Sequence, residues 1–284
     1  MKGMSVFSNS NLKSNITVSL KAEDVMLDFL GGIANKYQDK LILKGCLALK
    51  AQLKDKIEEA LRDTRDIDFT VFNGETWEEF VAECCVLASE NSQDKLKYTL
   101  EGRRGLMKNP NSDSLKISCQ NPTDNSILLF EIDMNIKSDE NNYIAVMQLN
   151  NFQFNIYNIF GILTDKLRVL TTQKACRRIK DMIDIFYLAT ALDFKMEEVL
   201  LGISYKGNKF WEDLNGVSYI LDSANLADLE HAYDKYRISN TTKPNFEEVY
   251  NIVCDFCLPI FSILISNIDM QKTEWIAKKR MWIK

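Results

Sequence analysis

The stretch "RDTRDIDF", residues 62–69, carries five charged side chains and runs straight into the apolar "TVF". On a strand, residues i and i+2 point to one face. Asp66 and Asp68 therefore project together, while Ile67, Phe69 and Val71 point into the opposite core. Ionised carboxylates are almost never buried unless they are paired or hold a metal. Either this is the ragged start of a surface strand, or the two acids hold a cation. Facing carboxylates repel, and a divalent ion such as Mg²⁺ (or Mn²⁺) offsets that cost best. A second strand, "FEIDMNI", puts Glu131 and Asp133 on one face. If the two strands are neighbours, Asp133 completes a three-carboxylate metal site with Asp66 and Asp68.

The rest of the chain limits what can surround such a site. Its 284 residues suffice for one large domain or two smaller ones. With 46% hydrophobic and 26% charged residues it reads as globular, and four prolines argue against a long disordered linker. A net charge of −5 does not mark a nucleic-acid binder, so any such contact needs a local basic patch. Seven cysteines and no signal peptide suggest a reducing cytoplasm. "CDFC", from Cys254 to Cys257, has metal-ligand spacing but no second pair, and His231 is far away in sequence. Closing a zinc site takes four ligands, so these read as helix-core cysteines. The apolar run 256–265 contains Pro259 and is too short to span a bilayer, so it reads as a buried helix, with no membrane partner expected.

Periodicity divides the chain in two. A helix is expected over 22–38, then a strand "KLILKG", a helix "CLALKAQL", the strand "DIDFTVF" and a helix "TWEEFVAECCVLASE". Four extended stretches follow, "KLKYTLE", "SLKISCQ", "SILLFEIDMNI" and "YIAVMQL", suited to a mixed or antiparallel sheet. From about residue 156 the 3.6 period takes over, in segments that include "IFGILTDKLRVL", "RRIKDMIDIFYLATAL" and 246–268. The expected fold is α+β: a mixed sheet with flanking helices over residues 1–155, then a helical bundle domain over 156–284. Residues 205–284 carry no assignable motif.

"LKGC" is a strand-to-helix turn in which Gly45 permits close backbone approach. The helix start after it offers free N–H groups and a positive dipole to phosphate. A metal-binding pair follows about twenty residues on. That arrangement resembles the nucleotidyltransferase superfamily, and more closely the AbiEii/AbiGii toxin family, which includes the MenT toxins. The family's "KGGTAL…RxSxDIDF" stands here as "KGCLALKAQLKDKIEEALRDTRDIDF", residues 44–69. "ILTDKLRVL" (162–170) is similar to its "EKLxAL" helix, and "RRIKDMIDIFYL" (177–188) to its "RxKDxxDLxxL" helix. Cys46 replaces the family's Ser or Gly, and Thr64 its Ser.

The resemblance implies a Mg²⁺-dependent nucleotidyltransferase, with Asp66, Asp68 and Asp133 on the metal. Lys44, Gly45, Cys46, Thr64 and Lys166 would hold the nucleoside triphosphate. Asp66, Asp68, Lys166 and Asp181 would be catalytic, with the helical domain supplying Lys166 and Asp181. It further implies a cytoplasmic toxin of a toxin–antitoxin pair, with a cognate antitoxin as partner and RNA, the 3′ end of tRNA, as acceptor. Candidate RNA contacts are Arg103 and Arg104 in one loop and Arg177 and Arg178 at a helix start. Otherwise, Arg103 and Arg104 are a solvated loop tip and Arg177 and Arg178 pair with nearby acids. Asp184, one turn beyond Asp181, is expected to pair with Lys180 or Arg177. Two further readings stay open: an antibiotic-type small-molecule nucleotidyltransferase, and a weakly catalytic nucleotide binder that acts through a protein partner.

Overall fold

The computed structural model describes residues 20–57, 64–71, 77–104, 112–136, 143–172, 178–205, 223–236, 243–266 and 272–284. The chain begins with helix α1 (Ala22–Tyr37), then strand β1 (Leu41–Lys44), helix α2 (Gly45–Leu53) and strand β2 (Asp66–Val71). Helix α3 (Trp77–Asn91) leads into β3 (Lys97–Arg103), β4 (Ser112–Gln120), β5 (Ile127–Ile136), β6 (Ile144–Leu149) and β7 (Phe152–Tyr157). These seven strands form one mixed sheet in the order β3-β4-β5-β2-β1-β7-β6. β2 runs parallel to β5 and antiparallel to β1, while β1 runs parallel to β7.

Alternation decides which sheet face is buried. Ile67, Phe69, Phe130, Ile132, Leu115, Ile117, Phe154 and Ile156 point to one face and are buried there. α1 and α3 close over it. α1 buries Val25, Met26, Phe29, Leu30 and Ile33 at helical spacing, and the Phe29 ring meets Phe130 edge-on at 5.7 Å. Where α1 crosses α3, a Cβ on Gly32 would stand 2.6 Å from the Ala88 Cα, so only glycine allows that approach. The opposite face of β2 and β5 carries the acids.

β7 was not expected: its "FQFNIY" abuts the first helical segment, and the anticipated boundary at 155/156 falls inside it. Helices α4 (Ile159–Thr172), α5 (Ile179–Ala191) and α6 (Met196–Ser204) follow, then α7 (Leu226–Lys235) and α8 (Phe246–Ser266). Asn158 caps α4 by accepting a 2.9 Å hydrogen bond from the Gly161 N–H. α5 is buried continuously from Asp181 to Ala189.

Three strands of two or three residues, β8 (Phe194–Lys195), β9 (Glu274–Ile276) and β10 (Met281–Ile283), form a second sheet. They too were unforeseen, because segments so short show no readable alternation. Trp275 of β9 is fully buried and donates its indole N–H to the Ala189 carbonyl at 2.7 Å, while Trp282 donates to the Phe256 carbonyl at 3.0 Å. α8 follows the helical period expected over 246–268 and extends well beyond the apolar run 256–265 inside it, so by length and composition it would suit a membrane span. Its buried side (Val249, Val253, Phe256, Ile260) instead packs with α5 and the β9–β10 hairpin. Cys257 is buried on this helix and Cys254 half-buried, with no metal-binding cluster among the described residues.

Candidate active site

β2 and β5 are parallel and in register, so Asp66 lies beside Glu131 and Asp68 beside Asp133. The pairing on which the three-carboxylate expectation depended is therefore present. Burial pushes the Asp68 carboxyl above its usual range, and Asp66 and Asp133 add to the rise, while Lys44 and Lys166 oppose it. One oxygen of Asp133, Oδ1, is buried without a hydrogen-bond partner. Thr64 is buried and its hydroxyl donates to the Asp66 carboxylate, fixing that side chain at the strand entrance.

β1 delivers the second component. Lys44, its last residue, lies opposite Asp68, and Gly45 opens α2 at φ +67°. A Cβ on Gly45 would stand 1.9 Å from Asp68 Oδ2. The absent side chain is thus what lets the carboxylate lie over the helix start. Cys46, in place of the family's Ser or Gly, is buried in the first turn of α2. Gly45→Ala is expected to cost about 1–2 kcal/mol for the left-handed backbone, and more for displacing Asp68. Whatever reaction the cleft supports should slow at least tenfold; a parental melting temperature and rate would refute the close-approach role.

The third component comes from α4 and α5. Lys166 is buried, and its ammonium lies 2.8 Å from Asp181 Oδ1 and 2.8 Å from Asp184 Oδ2. Both aspartates are 1% exposed. Arg178 Nε stands 2.8 Å from Asp181 Oδ2, but neither atom makes a hydrogen bond. Asp181 lies in the first turn of α5, where the helix dipole favours an anion. Asp184 thus pairs with Lys166, not with Lys180 as expected; Arg177, the other expected partner, lies outside the described residues.

These elements meet around one cleft of about 260 Å³ whose lining includes Lys44, Gly45, Asp68, Lys166, Arg178 and Asp181. Asp66, Thr64, Cys46 and Asp133 do not line it. Sequence reading missed Asp165, Arg168 and Lys180 on the cleft wall. The signal for Asp165 was the stripe Ile162–Asp165–Lys166–Val169, whose i, i+3, i+4, i+7 spacing puts it on one α4 face. Arg103 is held by Asp113 at 2.6 Å and by Glu78 at 3.2 Å, and Arg104 by Glu131 at 2.7 Å. Among the described residues no three His, Cys, Asp or Glu side chains converge as a ready-made metal cage.

The donor set nevertheless fits a hard divalent cation. It is all oxygen, its members repel one another, and one buried oxygen lacks a donor. Mg²⁺ takes one or two carboxylates and completes its shell with water and substrate phosphate, so a closed protein cage is not required.

The family described as "Nucleotidyl transferase AbiEii toxin, Type IV TA system" matches residues 28–250. No curated protein matches the chain. The crystal structure of JHP933 from Helicobacter pylori is similar over 87% of this chain and 93% of that one, at 14% identity and a TM-score of 0.52. A provisionally described nucleotidyltransferase from H. pylori is similar over 87% and 96%, at 13% identity and a TM-score of 0.50. Identities this low carry the fold alone.

Proposed function

The chain belongs to the AbiEii toxin family of nucleotidyltransferases from type IV toxin–antitoxin systems, and from that premise we propose that it transfers a nucleoside monophosphate from a triphosphate to the 3′ end of an RNA, with tRNA the acceptor implied by the resemblance. The observation that carries this reading is the register of Asp68 with Asp133, set against Gly45 in a cleft shared with Lys44 and Lys166.

In this reading the triphosphate lies in the cleft with its charge facing Lys44 and Lys166, and the N–H groups of the first α2 turn aim at a phosphate oxygen. Asp66, Asp68 and Asp133 would hold Mg²⁺ or Mn²⁺. When bound, the ion neutralises phosphate charge and stabilises the charge that develops in the transition state. The acceptor hydroxyl oxygen bonds to the α-phosphorus, and the bond from that phosphorus to the bridging oxygen of the β-phosphate breaks. Pyrophosphate leaves, and the hydroxyl proton passes to the Asp66 carboxylate. Asp181 and Asp184 hold the Lys166 ammonium in place. A cognate antitoxin would be the protein partner.

A small-molecule acceptor is the second reading. The ion pairing of Arg103, Arg104 and Arg178 with carboxylates speaks for it, because it reduces the positive charge they offer to RNA. Incubating the protein with each α-labelled triphosphate, total RNA and Mg²⁺ or Mn²⁺ decides between them. Labelled RNA and released pyrophosphate, both abolished by a chelator, are expected. Label confined to small hydroxyl compounds supports the second reading, and neither label nor pyrophosphate refutes both.

A further inference from the structure

Five cations line the cleft that holds Asp68, against three carboxylates. Counting Asp184, which pairs with Lys166 without lining the cleft, the balance stays positive at five to four with no bound ion included. The five are not equivalent. The Lys166 ammonium is shared by Asp181 and Asp184, 2.8 Å from each, and Arg178 stands 2.8 Å from the other oxygen of Asp181. That cluster is neutral as a whole and brings no surplus to a ligand. Arg168 and Asp165, of opposite sign on α4, are both engaged. Lys44 and Lys180 remain. Among the described residues, neither makes an ion pair or a side-chain hydrogen bond.

Lys44 has a reason to be where it is, because it ends β1 opposite Asp68. The fold supplies none for Lys180. It is the second residue of α5, in the turn where the helix dipole favours an anion, and its neighbour Asp181 obeys that rule. Spacing along the helix offers Asp184 as its i+4 partner, but that carboxylate goes to Lys166. A half-buried lysine without a counter-charge, set against the helix dipole, does nothing for stability. Local rules are broken in this way where a ligand supplies what the fold lacks. The missing partner is an anion in the cleft.

We infer that Lys180 receives the terminal phosphates of the nucleoside triphosphate. Asp68, Lys44 and the start of α2 form one wall of the cleft, where the α-phosphorus must stand to react. Lys180 stands on another wall, at the start of α5. A triphosphate chain spans the two, with its β- and γ-phosphate oxygens against the Lys180 ammonium, which then holds the departing pyrophosphate. Lys166 faces the phosphates only as part of a neutral cluster, and it ties α4 to the helix end that presents Lys180. This inference rests on the proposed occupancy of the cleft by a triphosphate.

The test measures binding rather than turnover. A non-hydrolysable triphosphate and the matching monophosphate are titrated by calorimetry into the full-length parent, Lys180→Ala and Lys180→Arg, and urea midpoints are recorded. Lys180→Ala should bind the triphosphate at least tenfold more weakly, yet hold the monophosphate within about twofold of the parent. Its urea midpoint should equal or exceed the parent's, since an unpaired cation leaves the first helical turn. Lys180→Arg keeps the charge and should recover triphosphate affinity to within about threefold. Parental triphosphate affinity in Lys180→Ala, or an equal loss for both ligands, overturns the assignment while the cleft remains the nucleotide site. A lowered urea midpoint in Lys180→Ala would make the residue a structural one and overturn it too. A parent that binds no triphosphate refutes the reading of the cleft, and this inference with it.

Discussion

Asp68→Asn is expected to cut nucleotidyl transfer by about 10²–10³-fold or more while leaving the protein at least as stable as the parent. The loss follows from removing the carboxylate that lies over Gly45 in the cleft proposed for the nucleotide. The stability follows from the same surroundings. Burial, Asp66 and Asp133 raise the Asp68 carboxyl in the folded state, so folding works against its ionised form. Whatever this group contributes is fully present below the unfolded value of about 3.9, and it is lost as pH rises through the higher folded value. Asparagine keeps the shape without the charge, so the gain should appear in urea unfolding at neutral pH and disappear in acid. A variant that unfolds more readily at pH 7, or that transfers at the parental rate, would contradict the carboxylate-trio reading.

Lys166→Ala should destabilise the fold by about 3–5 kcal/mol, because removing one member of a buried ion cluster leaves uncompensated charge. Here two carboxylates, Asp181 and Asp184, would lose the ammonium that lies 2.8 Å from each. On sequence alone, a lysine on an amphipathic helix would lose only a phosphate contact when truncated. The structure changes that expectation, and inactivity of this variant by itself would say nothing about phosphate. Combining Lys166→Ala with Asp181→Asn and Asp184→Asn should restore much of the urea midpoint but not the transfer rate. A single variant with an unchanged midpoint would mean the cluster contributes little to the fold.

Residues that touch through a regular backbone pattern were legible beforehand. The Asp66/Asp68 pair follows from strand alternation, and its union with Asp133 needed only that β2 and β5 be neighbours. α1 and α3 were expected as helices over 22–38 and "TWEEFVAECCVLASE", and both form there. What escaped depends on relations that no short window contains. Asp184 finds Lys166 across a helix pair. β7 is the exception: it folds back on β6 across the two-residue turn Asn150–Asn151, a local pairing that was overlooked, and its other edge meets β1. The β8–β10 sheet is held by Trp275 and Trp282, whose anchoring partners lie 86 and 26 residues back in the sequence.

That separation sets an order of events during synthesis. α5 carries Asp181 and Asp184 at one end, and at the other accepts a hydrogen bond at Ala189 from a tryptophan made 86 residues later. Until that tryptophan is made, the Ala189 carbonyl lacks this donor. Local pairs such as β4 with β5 can close as soon as they emerge, whereas this closure carries the entropy of a long loop. The end of α5 away from Asp181 and Asp184 is therefore closed later than the local strand pairs of the large sheet.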